Sequence, residues 1–126
     1  MNTRILLDTH VLLRLLNDPR RLDRETKALI DRADVYVSVA SIWEISIKAA
    51  LGKLSLKPAE VLQAVEPSGF SLLSIQGEHA ARVYELGRHH QDPFDRLLIA
   101  QAQLESMTLL THDETLAAYG DTVRVL

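Results

Sequence analysis

The 126-residue chain contains no cysteine. Disulfides, thiolate metal sites and cysteine nucleophiles are therefore excluded, and a reducing, cytoplasmic setting is expected. Long apolar runs are missing too. Asp8 interrupts the first, and Glu44 and Lys48 the second, so no segment reaches the roughly 20 apolar residues of a membrane span. The same Asp8 spoils a signal-peptide reading of the N-terminus. There is no glycine-rich phosphate loop, no G-x-S-x-G elbow and no H-E-x-x-H helix. The histidines at 79, 89, 90 and 112 show no ligand spacing, and His89 and His90 read as loop residues that touch phosphate at most. Excess positive charge is also lacking. A net charge of -3 argues against a nucleic-acid coat protein, which needs a broad basic surface. An enzyme that acts on nucleic acid stays open, because its site can be acidic at the centre and basic only at the rim.

What is present is ordinary for a globular protein: 47% hydrophobic and 25% charged residues. With no repeat, low-complexity tract or linker, residues 1–126 read as a single domain. Short apolar runs at 4–8, 35–39, 70–75, 108–111 and 122–126 read as strands. Several are apolar on both parities, as in strands covered on two faces. Helical patterns lie near 10–17, 24–32, 41–51, 58–66, 78–90, 93–106 and 114–119. This alternation predicts an α/β fold with a parallel sheet and helices on both faces. Ligands of such sheets bind outside the carboxyl ends of the strands. Asp8 closes the first strand, and Asp113 lies just past the end of the fourth.

Each acid has a bland reading. Asp8 and Asp113 are placed to cap the helices that follow them, Ser41 and Glu44 have the S-x-x-E form of a capping box, and Asp92-Pro93 with Asp95 makes a third helix start. Convergence alone is weak evidence, since helices that follow parallel strands all start at one edge of the sheet. Asp95 escapes that objection. Its helix follows the loop "RHHQDP", and it shares a stripe with Leu98, Ile99 and Ala102, whereas Arg96, Gln103 and Glu105 lie on the other side. An acid heading an inward face needs a partner. Glu44 shares a stripe with Lys48, on a helix whose Ile42, Trp43, Ile45, Ile47 and Leu51 predict burial over much of its circumference. Crowded carboxylates repel unless a cation neutralises them, and no arginine adjoins Asp8 or Asp113 in sequence. Oxygen ligands without cysteine favour Mg²⁺ or Mn²⁺, whose chemistry suits phosphodiester hydrolysis. Basic residues gather at Arg20, Arg21 and Arg24, which reads as a solvated face. They gather again from Arg88 to His90 with Arg96, where they are placed to grip a nucleic-acid backbone.

Four stretches, "LLDTHVLL", "SVASIWEISIKAALGKL", "DPFDRLLIAQA" and "LLTHDE", occur in this order across the whole chain. On them the chain resembles the PIN domain family, and specifically the VapC-type toxin ribonucleases of bacterial type II toxin–antitoxin pairs. The resemblance implies a three-layer sandwich around a parallel sheet of about five strands. It implies Mg²⁺- or Mn²⁺-dependent endonucleolytic cleavage of RNA, with Asp8, Glu44, Asp95 and Asp113 as metal-site residues. Asp8, Glu44 and Asp95 are the firmer members, and Asp113 is the more variable. Thr111 matches the small hydroxyl residue before the last acid. A homodimer and a cognate antitoxin are implied as partners. Asp92 is left as either a cap or a metal contact, Arg96 as either a phosphate contact or a partner of Asp92, and Lys48 as an accessory to Glu44. The competing expectation is an inert fold that dimerises and binds a partner, with the acids acting only as caps.

Overall fold

A computed structural model of the chain describes residues 3–126. Five strands, β1 (Arg4–Leu7), β2 (Asp34–Ser38), β3 (Ser71–Leu73), β4 (Thr108–Thr111) and β5 (Val123–Val125), form one sheet in the order β3-β2-β1-β4-β5. Every pairing is parallel. Six α-helices connect them: α1 (Thr9–Asn17), α2 (Arg24–Arg32), α3 (Val39–Ala50), α4 (Pro58–Val65), α5 (Gly77–Arg82) and α6 (Pro93–Glu105). None of the described helices is long and apolar enough to cross a membrane.

The period-2 geometry of a strand explains why the central strands are apolar on both parities. Ile5 and Leu7 of β1 face one core with Val11, Leu12, Leu29, Ile30, Val61 and Val65, from α1, α2 and α4. Leu6 faces the opposite core with Leu98, Ile99 and Ala102 of α6. In β4 the split repeats, with Leu110 in the first core and Leu109 in the second. Full burial of each such aliphatic side chain stabilises the fold by about 1.5–3 kcal/mol. The result is the expected three-layer α/β sandwich.

The strand order reverses beside β1. The chain winds outward through β2 and β3, then returns through α5 and α6 to place β4 on the other side of β1. A crevice opens at such a switch point, outside the carboxyl ends of β1 and β4. The register pairs Leu7 with Leu110, which sets Asp8 beside Thr111 at the mouth of that crevice.

Local expectations fail in three places. β2 stops at Ser38, whose hydroxyl accepts the Ala40 N–H and so caps α3. Ser41 and Glu44 therefore lie inside that helix and form no capping box. Ser41 instead accepts a buried hydrogen bond from Thr9, 2.9 Å away, which ties α1 to α3. The helix expected over 78–90 ends early, because α5 passes at Val83–Glu85 into a tight 3-10 turn and then into loop. Finally, α3 is less buried than its composition implies. Trp43, Ile47 and Leu51 form an exposed stripe, while Ala40, Ser41, Glu44 and Ile45 are buried.

Candidate active site

Asp8 is 2% exposed and uses both carboxylate oxygens. Its Oδ1 accepts the N–H groups of His10 (2.7 Å) and Val11 (3.2 Å), which caps α1. Its Oδ2 accepts the Thr111 hydroxyl at 2.6 Å. The Thr111 oxygen in turn accepts the Asp113 N–H at 3.0 Å. One hydroxyl thus couples the two strand-end acids, as the β1–β4 register requires. A carboxylate oxygen has two lone pairs. The cap uses both on Oδ1, whereas Oδ2, which accepts only Thr111 among the described residues, keeps one for a cation.

Glu44 is the stranger case. It is 4% exposed. Its Oε2 accepts Lys48 Nζ at 2.6 Å, whereas Oε1 is buried without a hydrogen-bond partner among the described residues. The Glu44 carboxylate raises the Lys48 pKa, first through that hydrogen bond, so Lys48 stays charged. An orphaned buried carboxylate oxygen is costly, and a cation or water has to serve it.

Asp95 heads α6 on its inward side. Asp92 caps that helix, its Oδ1 accepting the N–H groups of Phe94 (2.9 Å) and Asp95 (3.0 Å), with Pro93 in the first turn. Asp92 is thus the N-cap of α6, through one of its two oxygens. The Asp95 side chain caps nothing. Burial raises its pKa to about 6, and the negative charges of Asp92, Asp8 and Glu44 add to the effect, against a hydrogen bond with His90. The repulsion shows that Asp8, Glu44, Asp92 and Asp95 share one electrostatic neighbourhood, although they come from three parts of the chain: the end of β1, α3 and the start of α6.

Asp113 sits at the rim. Its Oδ1 accepts the Thr115 hydroxyl (2.7 Å) and N–H (2.9 Å), and the hydroxyl bond is the main reason its pKa is lowered. His90 links rim to centre. Its Nε2 lies 2.9 Å from Asp95 Oδ2 and 3.9 Å from Asp113 Oδ2. Ligand atoms of His90, Asp95 and Asp113 all lie within 4.8 Å of one another, a group able to hold a metal ion. Sequence reasoning leaves His90 in a loop. The available signal is its position five residues before Asp95, in the loop that leads into α6.

The Arg96 guanidinium makes no hydrogen bond or ion pair with Asp92 among the described residues, and it is engaged elsewhere. Its NH1 donates to the carbonyls of Gly87 (2.9 Å) and His90 (3.2 Å) and to the Tyr119 hydroxyl (3.1 Å), and its NH2 donates to the Val83 carbonyl (3.1 Å). The guanidinium fork spans four acceptors and holds the His90 loop in shape.

The donor set is oxygen-rich, with one histidine and no sulfur, and it carries an unpartnered buried oxygen at Glu44. Such a set fits a hard divalent cation such as Mg²⁺ or Mn²⁺.

Residues 5–121 match the family model described as the PIN domain. No curated protein matches the chain in sequence. Among solved structures, the chain is similar to FitAcB from Neisseria gonorrhoeae at 26% identity, with a TM-score of 0.66 over 94% of this chain and 95% of that one. It is similar in fold to a toxin–antitoxin complex from Klebsiella pneumoniae, at 22% identity, TM-score 0.67 and 96% coverage of both chains. VapBC2 from Rickettsia felis, bound to a DNA fragment from their promoter, aligns at 14% identity with a TM-score of 0.70 over 98% of both chains.

Proposed function

Because the chain belongs to the PIN domain family, we propose that it is a metal-dependent endoribonuclease and the toxin of a type II toxin–antitoxin pair. PIN domains are generally nucleases that use divalent metals. RNA would be hydrolysed at Asp8, Glu44, Asp95 and Asp113. The observation that carries this reading is a cluster of carboxylates with too little positive charge of its own. Asp95 is pushed up to about 6, and one oxygen of Glu44 lacks a partner among the described residues. Both are costs to the folded state, and a cation would offset them.

Asp8, Glu44 and Asp95 would hold Mg²⁺ or Mn²⁺, with Asp113 and His90 beside them. When bound, such a cation neutralises the carboxylates and the substrate phosphate and makes a water more acidic. The chain's own residues prepare the site. Thr111 fixes Asp8 in one orientation, Lys48 does the same for Glu44, and the Asp92 cap sets the direction in which Asp95 leaves α6. His90 competes with any cation for Asp95 Oδ2 and offers an exchangeable proton there. An antitoxin is the expected partner, since the similar solved structures include a toxin–antitoxin complex, and a homodimer is proposed on family resemblance.

One observation favours the rival reading of an inert binding module: Asp8, Asp92 and Asp113 are all genuine caps. Asp95 and Glu44 cap nothing, so they separate the two readings. Thermal unfolding in Mn²⁺ and in EDTA tests the metal directly. At pH 7.5, Mn²⁺ at a hundredfold excess over Kd is expected to raise Tm by roughly 10 °C. The rise shrinks at pH 5, where Asp95 holds its proton, and is lost in Glu44→Gln. Equal Tm values with Mn²⁺ and with EDTA at pH 7.5 would sink the metal assignment.

A further inference from the structure

A cleft of about 520 Å³ opens from Asp8 and Asp113 and runs outward along α1. Its near end is acidic. Its far wall carries His10, Arg14 and Arg21, and His112 lines it from the end of β4. The side chains at 10, 14 and 17 recur on one face of α1 through the i, i+4, i+7 spacing, and the turn at Pro19–Arg21 carries Arg21 round to join them. Asp18 also lines the cleft, but its Oδ1 already takes Arg20 at 3.4 Å.

Two features set this wall apart from a solvated face. Arg14 is half-buried, and its guanidinium makes no hydrogen bond or ion pair with any described residue. His112 Nε2 is buried with no partner among the described residues. Half-buried arginine without a carboxylate is unusual, because the guanidinium gives up water and gains nothing. Its planar donor fork fits a phosphate.

Resting on the ribonuclease reading above, the geometry points to this cleft as a subsite for a backbone phosphate of the RNA next to the scissile one, gripped by Arg14 with Arg21 beside it. The carboxylates then receive the scissile group at the near end. The arginines hold a neighbouring phosphate at the far end, which fixes the direction of the strand through the site. The basic residues near Arg20 are therefore not equivalent: Arg21 lines the cleft, whereas the Arg20 side chain is 91% exposed and lies outside it.

The test compares Arg14→Gln, Arg21→Gln and the charge-matched control Arg20→Gln with the parent, on a labelled oligoribonucleotide carrying a site that the parent cleaves. Arg14→Gln is expected to raise KM about tenfold with a smaller change in kcat, as for removal of one charge-assisted hydrogen bond. The salt dependence of 1/KM should flatten by about 0.7 for each phosphate that the variant no longer neutralises. Arg21→Gln should move both in the same direction by less, and Arg20→Gln should match the parent. If Arg14→Gln keeps the parent's KM and salt slope, the subsite is wrong while the nuclease reading stands. If Arg14→Gln also loses its hold on a polyglutamate peptide, the cleft belongs to an acidic protein partner and the RNA subsite is again overturned. A parent that cleaves no RNA would remove both the nuclease reading and this subsite.

Discussion

Asp95→Asn is expected to lower metal-dependent RNA cleavage by at least about 10²–10³-fold while leaving the metal-free protein as stable as the parent or more so. The two effects share one cause. The Asp95 pKa of about 6 lies above its ordinary 3.8, so the folded protein prefers the protonated acid. The stability tied to that proton is fully present below about pH 4 and is lost as pH rises through 6. The amide carries no such penalty. Near pH 4 the variant and the parent should therefore have similar stability. At pH 7.5 the variant should be more stable by about 1–3 kcal/mol, read from urea unfolding in EDTA at both pH values. If the acids only cap helices, cleavage does not depend on Asp95, because the α6 cap is supplied by Asp92. The stability gain follows from the raised pKa under either reading, so cleavage is the readout that separates them. A variant that keeps full cleavage would refute the site assignment.

The second large effect concerns Arg96. Arg96→Ala is expected to destabilise the protein by about 2–4 kcal/mol, since it strips donors from the carbonyls of Val83, Gly87 and His90 at once. Tyr119 still donates to Gly87 O at 2.8 Å, which keeps the loss from being larger. Arg96→Lys should recover only part, because a single ammonium cannot span acceptors that the planar fork reaches together. Cleavage should fall as well, through His90, whose loop loses its brace. Denaturant unfolding checks the first effect. Unchanged stability combined with a raised KM for RNA would return Arg96 to the phosphate-binding role that its place in the sequence implies.

The contrast between Asp95 and Arg96, adjacent in sequence, indicates how far a one-dimensional reading reaches. Helical spacing puts Asp95 on the stripe of Leu98 and Ile99, and that inward face is where it lies. The strands of the switch point are legible for a similar reason. Burial on both faces leaves apolar residues on both parities, and an acid that ends such a run marks the sheet's carboxyl edge. Arg96 is not legible in this way because its partners are backbone carbonyls, which every residue carries and no sequence pattern displays. The Thr111–Asp8 bond depends on strand register across more than a hundred residues. His90 reaches Asp95 through a loop whose course is fixed by the same Arg96 clamp. Ser38 takes the capping role from Ser41 because β2 ends one residue sooner than its apolar pattern, and capping competes locally among hydroxyls three residues apart. The exposed Trp43, Ile47 and Leu51 stripe shows that apolar content sets how much of a helix can be covered, while tertiary packing decides which part is.

The central claim, that these carboxylates cleave RNA with a metal, is tested most directly by incubating total cellular RNA with purified protein freed of any bound partner. The lanes carry Mn²⁺, Mg²⁺ or EDTA, and Asp95→Asn runs beside the parent to expose contaminating nuclease. Discrete cleavage in Mn²⁺ or Mg²⁺, absent in EDTA and absent from the variant, is the expected result. A folded, partner-free parent that leaves the RNA intact in every lane would contradict it, and the fold would then be read as a partner-binding module whose acids are caps.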